Sequence, residues 1–444
     1  MLNLDYLDSS LGYWLDDKRP LCVSRFCNDT RILQPGECFL AIHTDRRDGN
    51  EFLGAAKDRG AACAFVDYPQ TNIDIPQFVC KNTLRTLEKF VRIIRQKFRY
   101  PIVAVTGSMG KTSTKDLLSL LLGVENNKTL LNANNVLGIL MTMACLDLSE
   151  NHAVIEIGID ELGHMDERLQ IVQPTDVVIT GVCGVHVSTL GDEESIAREK
   201  CRSAEYVIKN HGKCIFPENL LRFNCFRSVQ HSCIVPSTGA SGRVHYSIAQ
   251  NIPERMMVLS IDDMRYQLPI PYNMSDGMID NLVLSASYAL LSGISIDVLN
   301  ERLVHWQPSY IRGSIIERGK CTFYADCYNA NPGSFEDSLK NFDRLFPHDS
   351  RLFVIGCFTE DAVGEVCTSE NRKIGNELPL RPNDTVIALG EQTEAIQKGI
   401  LENDPQFEYN FLQNPDNLAE IVKNFVGVIY LKGHHFYHLE QLIT

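Results

Sequence analysis

Apolar and polar positions alternate along the chain in two rhythms. Short runs that are almost wholly apolar are too brief for helices and predict strands buried on both faces: "IVAV" at 102–105, "AVIEIG" at 153–158, "DVVITGV" at 176–182 and "GKCIFP" at 212–217. Between them apolar residues recur at helical spacing, as in "DLLSLLL" at 116–122. This alternation predicts a mainly parallel sheet with helices on both faces, where ligands sit beyond the C-terminal strand ends.

The same reading divides the chain into three. Residues 1–98 carry strand-like "ECFLAI" and "CAFVDY". They close on a helix from about Leu84, with Leu84, Leu87, Val91, Ile94 and Phe98 on its apolar face, and Pro101 marks the boundary. Residues 99–310 hold the alternating runs and an irregular stretch, 219–275, that reads as a strand-rich excursion. Residues 311–444 repeat the α/β rhythm through "TFYAD", "RLFVIG", "DTVIALG" and "GVIYLKG". The predicted class is α/β in three domains: a smaller N-terminal α/β domain, a central domain on a mainly parallel sheet, and a C-terminal Rossmann-like domain. His434, His435 and His438 lack a fourth ligand at suitable spacing, so an ordinary C-terminal helix is expected there.

Composition narrows the class of function. At 444 residues the chain exceeds what one core usually serves, and 44% hydrophobic with 22% charged residues is ordinary for a soluble globular protein. A net charge of −14 argues against a general binder of nucleic acid or of anionic membrane, yet local loops can still hold anionic small ligands. No apolar run approaches a membrane span, and "MLNLDYLDSS" lacks a charged-then-apolar leader pattern, so a cytoplasmic protein is expected. The fifteen cysteines include no C-x-x-C pair, the nearest neighbours being Cys22 and Cys27. Free thiols in a reducing compartment are therefore expected rather than disulfides.

The stretch "AVTGSMGKTSTKD" at 104–116 carries the first chemistry. Gly107, Gly110, Lys111 and Thr112 lie between a strand run and a helix run. In that layout backbone N–H groups close on phosphate, Lys111 neutralises the β/γ-phosphates and the Thr112 hydroxyl can ligate Mg²⁺. The usual loop has a glycine five residues before Gly110; here Val105 stands there, making a short variant. Glu156, inside "AVIEIG", can hold Mg²⁺ from the end of a parallel strand, or be a solvated edge-strand carboxylate. His186 follows the next strand run, and Lys200 falls inside the apolar stripe Ile196, Ala197, Cys201, Ala204 and Ile208. An inward lysine either snorkels out, meets an anion, or is modified as a neutral amine. A CO₂ carbamate would make it an extended carboxylate fit for a second Mg²⁺ beside His186. No Ser/His/Asp or Cys/His signature for a covalent nucleophile is present.

With these residues the chain resembles the Mur ligases, most closely the branch that adds D-alanyl-D-alanine to UDP-N-acetylmuramoyl-tripeptide. "TGSMGKTS" matches that family's short loop, which accounts for the absent glycine and assigns Gly107, Ser108, Gly110, Lys111, Thr112 and Ser113 to ATP. "NDTRILQPGECFLAI" and "RRDGNEF" look like the uridine-nucleotide segment, implying substrate contacts at Thr30, Arg31, Asp48 and Gly49. "NANNVLG" resembles the substrate-side asparagine motif, with Asn134 and Asn135. The resemblance gives Thr112, Glu156, His186 and a carbamylated Lys200 as ligands of two Mg²⁺ ions. It puts Arg312 on the γ-phosphate, Asp326 on the ribose and Asn281 near adenine, or, read from sequence alone, Asn281 as a helix-start cap. "DCYNANPGS", with Asn329 and Asn331, is its most specific marker. The implied catalytic set is Lys111, His186, Lys200 and Arg312, acting through an acyl phosphate in a monomer, in peptidoglycan precursor synthesis.

The chain departs from the family pattern at Gly277, where a histidine is usual, at "CFTEDAVGE", at "KGHH" and at "IDELGHM". Two further readings follow: a paralogous amide ligase with another amine acceptor, and a catalytically silent nucleotide-binding scaffold.

Overall fold

The computed structural model describes residues 4–20, 23–183, 190–239, 243–251, 254–357 and 365–443. The chain divides into two compact units, Met1–Val182 with Asp192–Val235, and Cys183–Gly191 with Pro236–Thr444.

Among its described residues the first unit contains two larger sheets and a two-stranded hairpin, His43–Thr44 against Arg47–Asp48. Strands β1 (Tyr13–Trp14), β2 (Phe26–Cys27), β3 (Cys38–Leu40), β4 (Cys63–Val66) and β5 (Gln77–Val79) line up in the order β1-β5-β4-β3-β2. All neighbours are parallel except β1 on β5. Helix α1 (Thr83–Lys97) begins where the Asn82 side chain accepts from the Arg85 amide at 2.9 Å, the expected N-cap device. Its buried face is Thr83, Thr86, Leu87, Phe90, Val91 and Ile94. Leu84, expected on that face, sits half-buried at its margin, and Phe90 takes the central place, edge-on to Phe26.

Strands β6 (Ile102–Thr106), β7 (Ala153–Glu156), β8 (Asp176–Ile179) and β9 (Cys214–Ile215) form the second sheet in the order β9-β8-β6-β7. Every pairing is parallel, and every residue of these strands is buried, which is why they read as continuous apolar runs. Helices α2 (Lys111–Leu122), α3 (Val136–Ala144), α4 (His164–Val172) and α5 (Glu193–Lys209) are the crossovers. The pairings Val105 with Glu156 and Thr106 with Ile179 bring three C-terminal strand ends to one edge.

The expected strand-rich stretch 219–275 is strand-rich only in its later part: residues up to Val235 lie in the first unit as short helical turns such as Asn224–Val229. The second unit holds a three-stranded antiparallel meander of β10 (Val244–Asn251), β11 (Glu254–Ile261) and β12 (Met264–Ile270), followed by helix α6 (Asp276–Leu291). Its larger sheet uses β13 (Ser314–Arg318), β14 (Cys321–Asp326), β15 (Arg351–Gly356), β16 (Thr385–Leu389), β17 (Phe411–Gln413) and β18 (Gly427–Lys432), ordered β13-β14-β18-β15-β16-β17. Only β13 runs antiparallel to its neighbour. Helix α7 (Pro332–Leu345) follows β14. The helix expected around His434–His438 is instead two 3-10 turns, His435–Tyr437 and Leu439–Leu442, separated at His438, where the backbone turns left-handed at φ 51°. The described cysteines are all free.

Arg351 is fully buried at the start of β15 and donates to Asp343 at 2.6 Å, to both Asp384 oxygens and to the Pro379 carbonyl. Removing it strands the buried Asp384 charge. Arg351→Ala should destabilise the second unit by about 3–5 kcal/mol. Urea unfolding followed by Trp306, in a Trp14→Phe background, reads that unit. A loss below about 1 kcal/mol would show that the network carries no such weight.

Candidate active site

The phosphate loop is shaped by close approach. Gly107 has φ 152°, and a Cβ there would lie 1.9 Å from Thr180 Oγ1, so no other residue fits without moving the β8 end. The Ser108 amide donates to the Gly181 carbonyl at 2.8 Å, and Thr180 Oγ1 donates to the Met109 carbonyl. Gly110, left-handed at φ 76°, is the N-cap of α2. The end of β8 therefore clasps the loop, a role with no signal in the local sequence pattern. Lys111 curls over the loop, its ammonium donating to the carbonyls of Gly107 at 2.9 Å and Ser108 at 3.2 Å. Thr112 is buried and Ser113 half-buried in the first turn of α2.

Glu156, at the end of β7, is 1% exposed. Its Oε1 accepts from Asn134 Nδ2 at 2.7 Å, while Oε2 is buried with no hydrogen-bond partner among the described residues. The structure thus brings two of the predicted residues into direct contact and leaves a carboxylate oxygen open for a cation, the donor type that Mg²⁺ prefers. Asn135 caps α3 by accepting from the Gly138 amide at 2.9 Å. The glycine after Ile157 is also dictated by contact, since a Cβ on Gly158 would meet Asn134 Oδ1 at 2.6 Å.

Lys200 lies on the buried face of α5 and is 3% exposed, as its place in the stripe predicts. Ile208 at the far end of that stripe is half-buried, and Val207 is the buried residue there. The neighbouring Glu199, passed over in the sequence, accepts from the amides of Gly163 at 2.8 Å and Met165 at 3.0 Å, tying α5 to the start of α4. Arg168 of α4 is equally buried and donates to the Gly158 carbonyl. His186 lies outside the described residues. Among the described residues no group of three or more His, Cys, Asp and Glu side chains could by itself hold a metal ion.

In the first sheet's loops, Arg31 forks onto Asp29 at 2.6 Å, holding that carboxyl down to about 2, with Thr30 half-buried between them. Asp48 accepts from the Asn50 side chain at 2.7 Å, the Asn50 amide at 2.9 Å and the Tyr68 hydroxyl, which hold its carboxyl down to about 2. Gly49 packs against the Ile42 backbone, where a Cβ would come within 2.5 Å.

In the second unit, the Arg312 guanidinium lies over the Tyr328 ring, 4.0 Å from its centroid. Asp326, at the end of β14, accepts from the buried Lys432 ammonium at 2.6 Å, the lysine of "KGHH". Asn329 Oδ1 accepts from the Ala330 amide, and Asn331 caps α7 in a reciprocal box with Ser334. Asn281 is buried inside α6, and the cap of that helix is Ser275. Next to it, burial and then the Asp337 and Asp276 charges push the Asp280 carboxyl up to about 6. Asp337 itself receives the Ser275 hydroxyl at 2.6 Å and the Gly277 amide at 2.8 Å, against the glycine that stands where the family has histidine.

Comparison with known proteins bears on the middle of the chain first. Residues 105–271 match the Mur ligase middle domain. The UDP-N-acetylmuramoyl-tripeptide--D-alanyl-D-alanine ligase of Synechocystis is 32% identical over 230 residues, 49% of this chain, and the chain spans 50% of that relative's length. The Escherichia coli enzyme of the same name is 26% identical over 83% of this chain and 81% of its own. A crystal structure of MurF from Acinetobacter baumannii superposes with a TM-score of 0.76 at 24% identity, covering 97% of this chain and 95% of that one, a likeness of fold. The short phosphate loop, the Asn134–Glu156 pair and the inward Lys200 all sit within the segment that matches the Mur ligase middle domain.

Proposed function

We propose that the protein is an ATP-dependent amide ligase that joins D-alanyl-D-alanine to UDP-N-acetylmuramoyl-tripeptide through an acyl phosphate, in peptidoglycan precursor synthesis. One observation carries the reading: the phosphate loop and the open, buried oxygen of Glu156 lie at the same edge of the parallel sheet. Relatives of that name over half and over four-fifths of their lengths support the choice of substrates.

In this reading residues 1–98 hold the UDP-sugar, 99–310 the ATP phosphates, and 311–444 further nucleotide and amine contacts. Thr30, Arg31, Asp48, Gly49, Asn134, Asn135, Asn329 and Asn331 face the substrates. Gly107, Ser108, Gly110, Ser113, Asn281 and Asp326 bind ATP. Thr112, Glu156, His186 and Lys200 as its carbamate would hold two Mg²⁺ ions, which when bound neutralise phosphoryl oxygens. The open Glu156 oxygen and the inward course of Lys200 suit that donor set. The tripeptide carboxylate attacks the γ-phosphorus, the bond from that phosphorus to the bridging β,γ-oxygen breaks and ADP leaves, with Lys111 and Arg312 balancing the charge that spreads over the phosphoryl oxygens. The amine of D-alanyl-D-alanine then attacks the acyl carbon, and phosphate leaves. We further assign the protein to the cytoplasm as a monomer. The cytoplasmic assignment is in keeping with the free thiols of the described cysteines, and among the described residues no helix is long and apolar enough to cross a membrane.

A second reading, a ligase with a different amine acceptor, rests on the departures at "CFTEDAVGE" and "KGHH". Purified protein should release phosphate only when ATP, UDP-N-acetylmuramoyl-tripeptide and D-alanyl-D-alanine are all present. Release with a different amine and none with D-alanyl-D-alanine would transfer the assignment to a paralogous ligase, and ATP binding without any turnover to a scaffold.

Lys200→Ala should lower kcat by about 100-fold or more, with excess bicarbonate giving no rescue and circular dichroism unchanged. Activity within about threefold of wild type would refute the carbamate.

A further inference from the structure

Lys115, one turn beyond Lys111 on α2, has no part in the reaction as drawn, yet it is 1% exposed. A buried ammonium is costly unless its three N–H bonds are answered. Here they are: Nζ donates to the Thr129 carbonyl at 2.8 Å and the Leu131 carbonyl at 2.7 Å, and pairs with Asp116 at 3.0 Å. Asp116 also holds Lys128 at 2.9 Å, at the foot of the same segment.

That segment leads to the carboxylate. Thr129 Oγ1 accepts from the Glu156 amide at 2.8 Å. Leu131 is left-handed at φ 49° with its side chain 69% exposed, so neither its own preference nor apolar burial fixes it there. The Lys115 bond to its carbonyl supplies a restraint at that residue. Three residues on, Asn134 donates to Glu156 Oε1 and accepts from the Gly158 amide at 3.2 Å.

We propose that Lys115 is a positioning residue, whose bonds to residues 129 and 131 set the path that lets Asn134 aim the open Glu156 oxygen at a divalent cation. The proposal rests on the reading of Glu156 as a metal ligand. An outer partner of this kind usually changes metal affinity without touching the metal.

Lys115→Met keeps the length and removes the donors; Lys115→Arg keeps the charge and can serve both carbonyls. In Lys115→Met, amide hydrogen exchange over Thr129–Asn134 should quicken, and Mn²⁺ titrated into the protein–ADP complex should bind about tenfold more weakly or worse. ADP affinity in EDTA should stay within about twofold, because the end of β8 holds the phosphate loop independently. Should the Met variant fail to fold, Lys115→Arg with wild-type exchange and Mn²⁺ affinity beside Asn134→Ala with weakened Mn²⁺ binding supports the chain of contacts. Wild-type exchange in Lys115→Met, or faster exchange with unchanged Mn²⁺ affinity, overturns it, as does an Asn134→Ala variant with wild-type Mn²⁺ affinity. Absence of Mn²⁺ binding by the wild-type complex would remove the metal role of Glu156 and this proposal together. Absence of substrate-dependent phosphate release with Mn²⁺ binding intact would remove only the reaction, since neither readout needs a substrate.

Discussion

The register of the central parallel sheet is the constraint on which the site depends. Because Val105 pairs with Glu156 and Thr106 with Ile179, the chain leaves three neighbouring strands at one edge. The first exit becomes the phosphate loop, the second ends in a carboxylate, and the third, through Thr180 and Gly181, clasps the loop. A one-residue slip would turn the strand over, exchange the side chains packed on the two buried faces and separate Glu156 from Asn134. Long-range backbone pairing, rather than any single side chain, gathers the chemistry.

Around that edge the fold places polar groups where burial makes them rigid. Glu199 holds the start of α4, Arg168 holds the Gly158 carbonyl, and Lys115 holds the run before Asn134. Each is almost fully buried and bonds chiefly to backbone groups of another segment, although the Arg168 Nε is left without a partner among the described residues. The Glu156 Oε2 atom is buried without a hydrogen-bond partner among the described residues, at a cost of about 1–3 kcal/mol for a polar atom kept dry. An incoming cation would offset that cost, which ties stability at this edge to ligand binding.

Much of this was legible because local pattern and local chemistry coincide. Fully buried parallel strands announce themselves as apolar runs, the loop glycines as a motif, and Lys200 as a charge inside an apolar stripe, where the structure finds it buried. Lys115 carries the same signal, since it shares a face with Leu118 and Leu122, and the periodicity argument made for Lys200 would have found it. The clasp by Thr180, the Ile42 backbone behind Gly49 and the Arg351 network were not legible. Each depends on contacts made only once the sheets are assembled. The end of the chain misled for another reason: with no fourth ligand to make a metal site of its histidines, a helix was the default expectation, but left-handed His438 breaks the run into two short turns.

The transfer of phosphate onto the peptide carboxylate is the central claim, and isotopic oxygen follows it directly. With ¹⁸O in the terminal carboxylate of the tripeptide, turnover through an acyl phosphate should deliver one labelled oxygen to the released phosphate. Phosphate that carries no label would contradict the account.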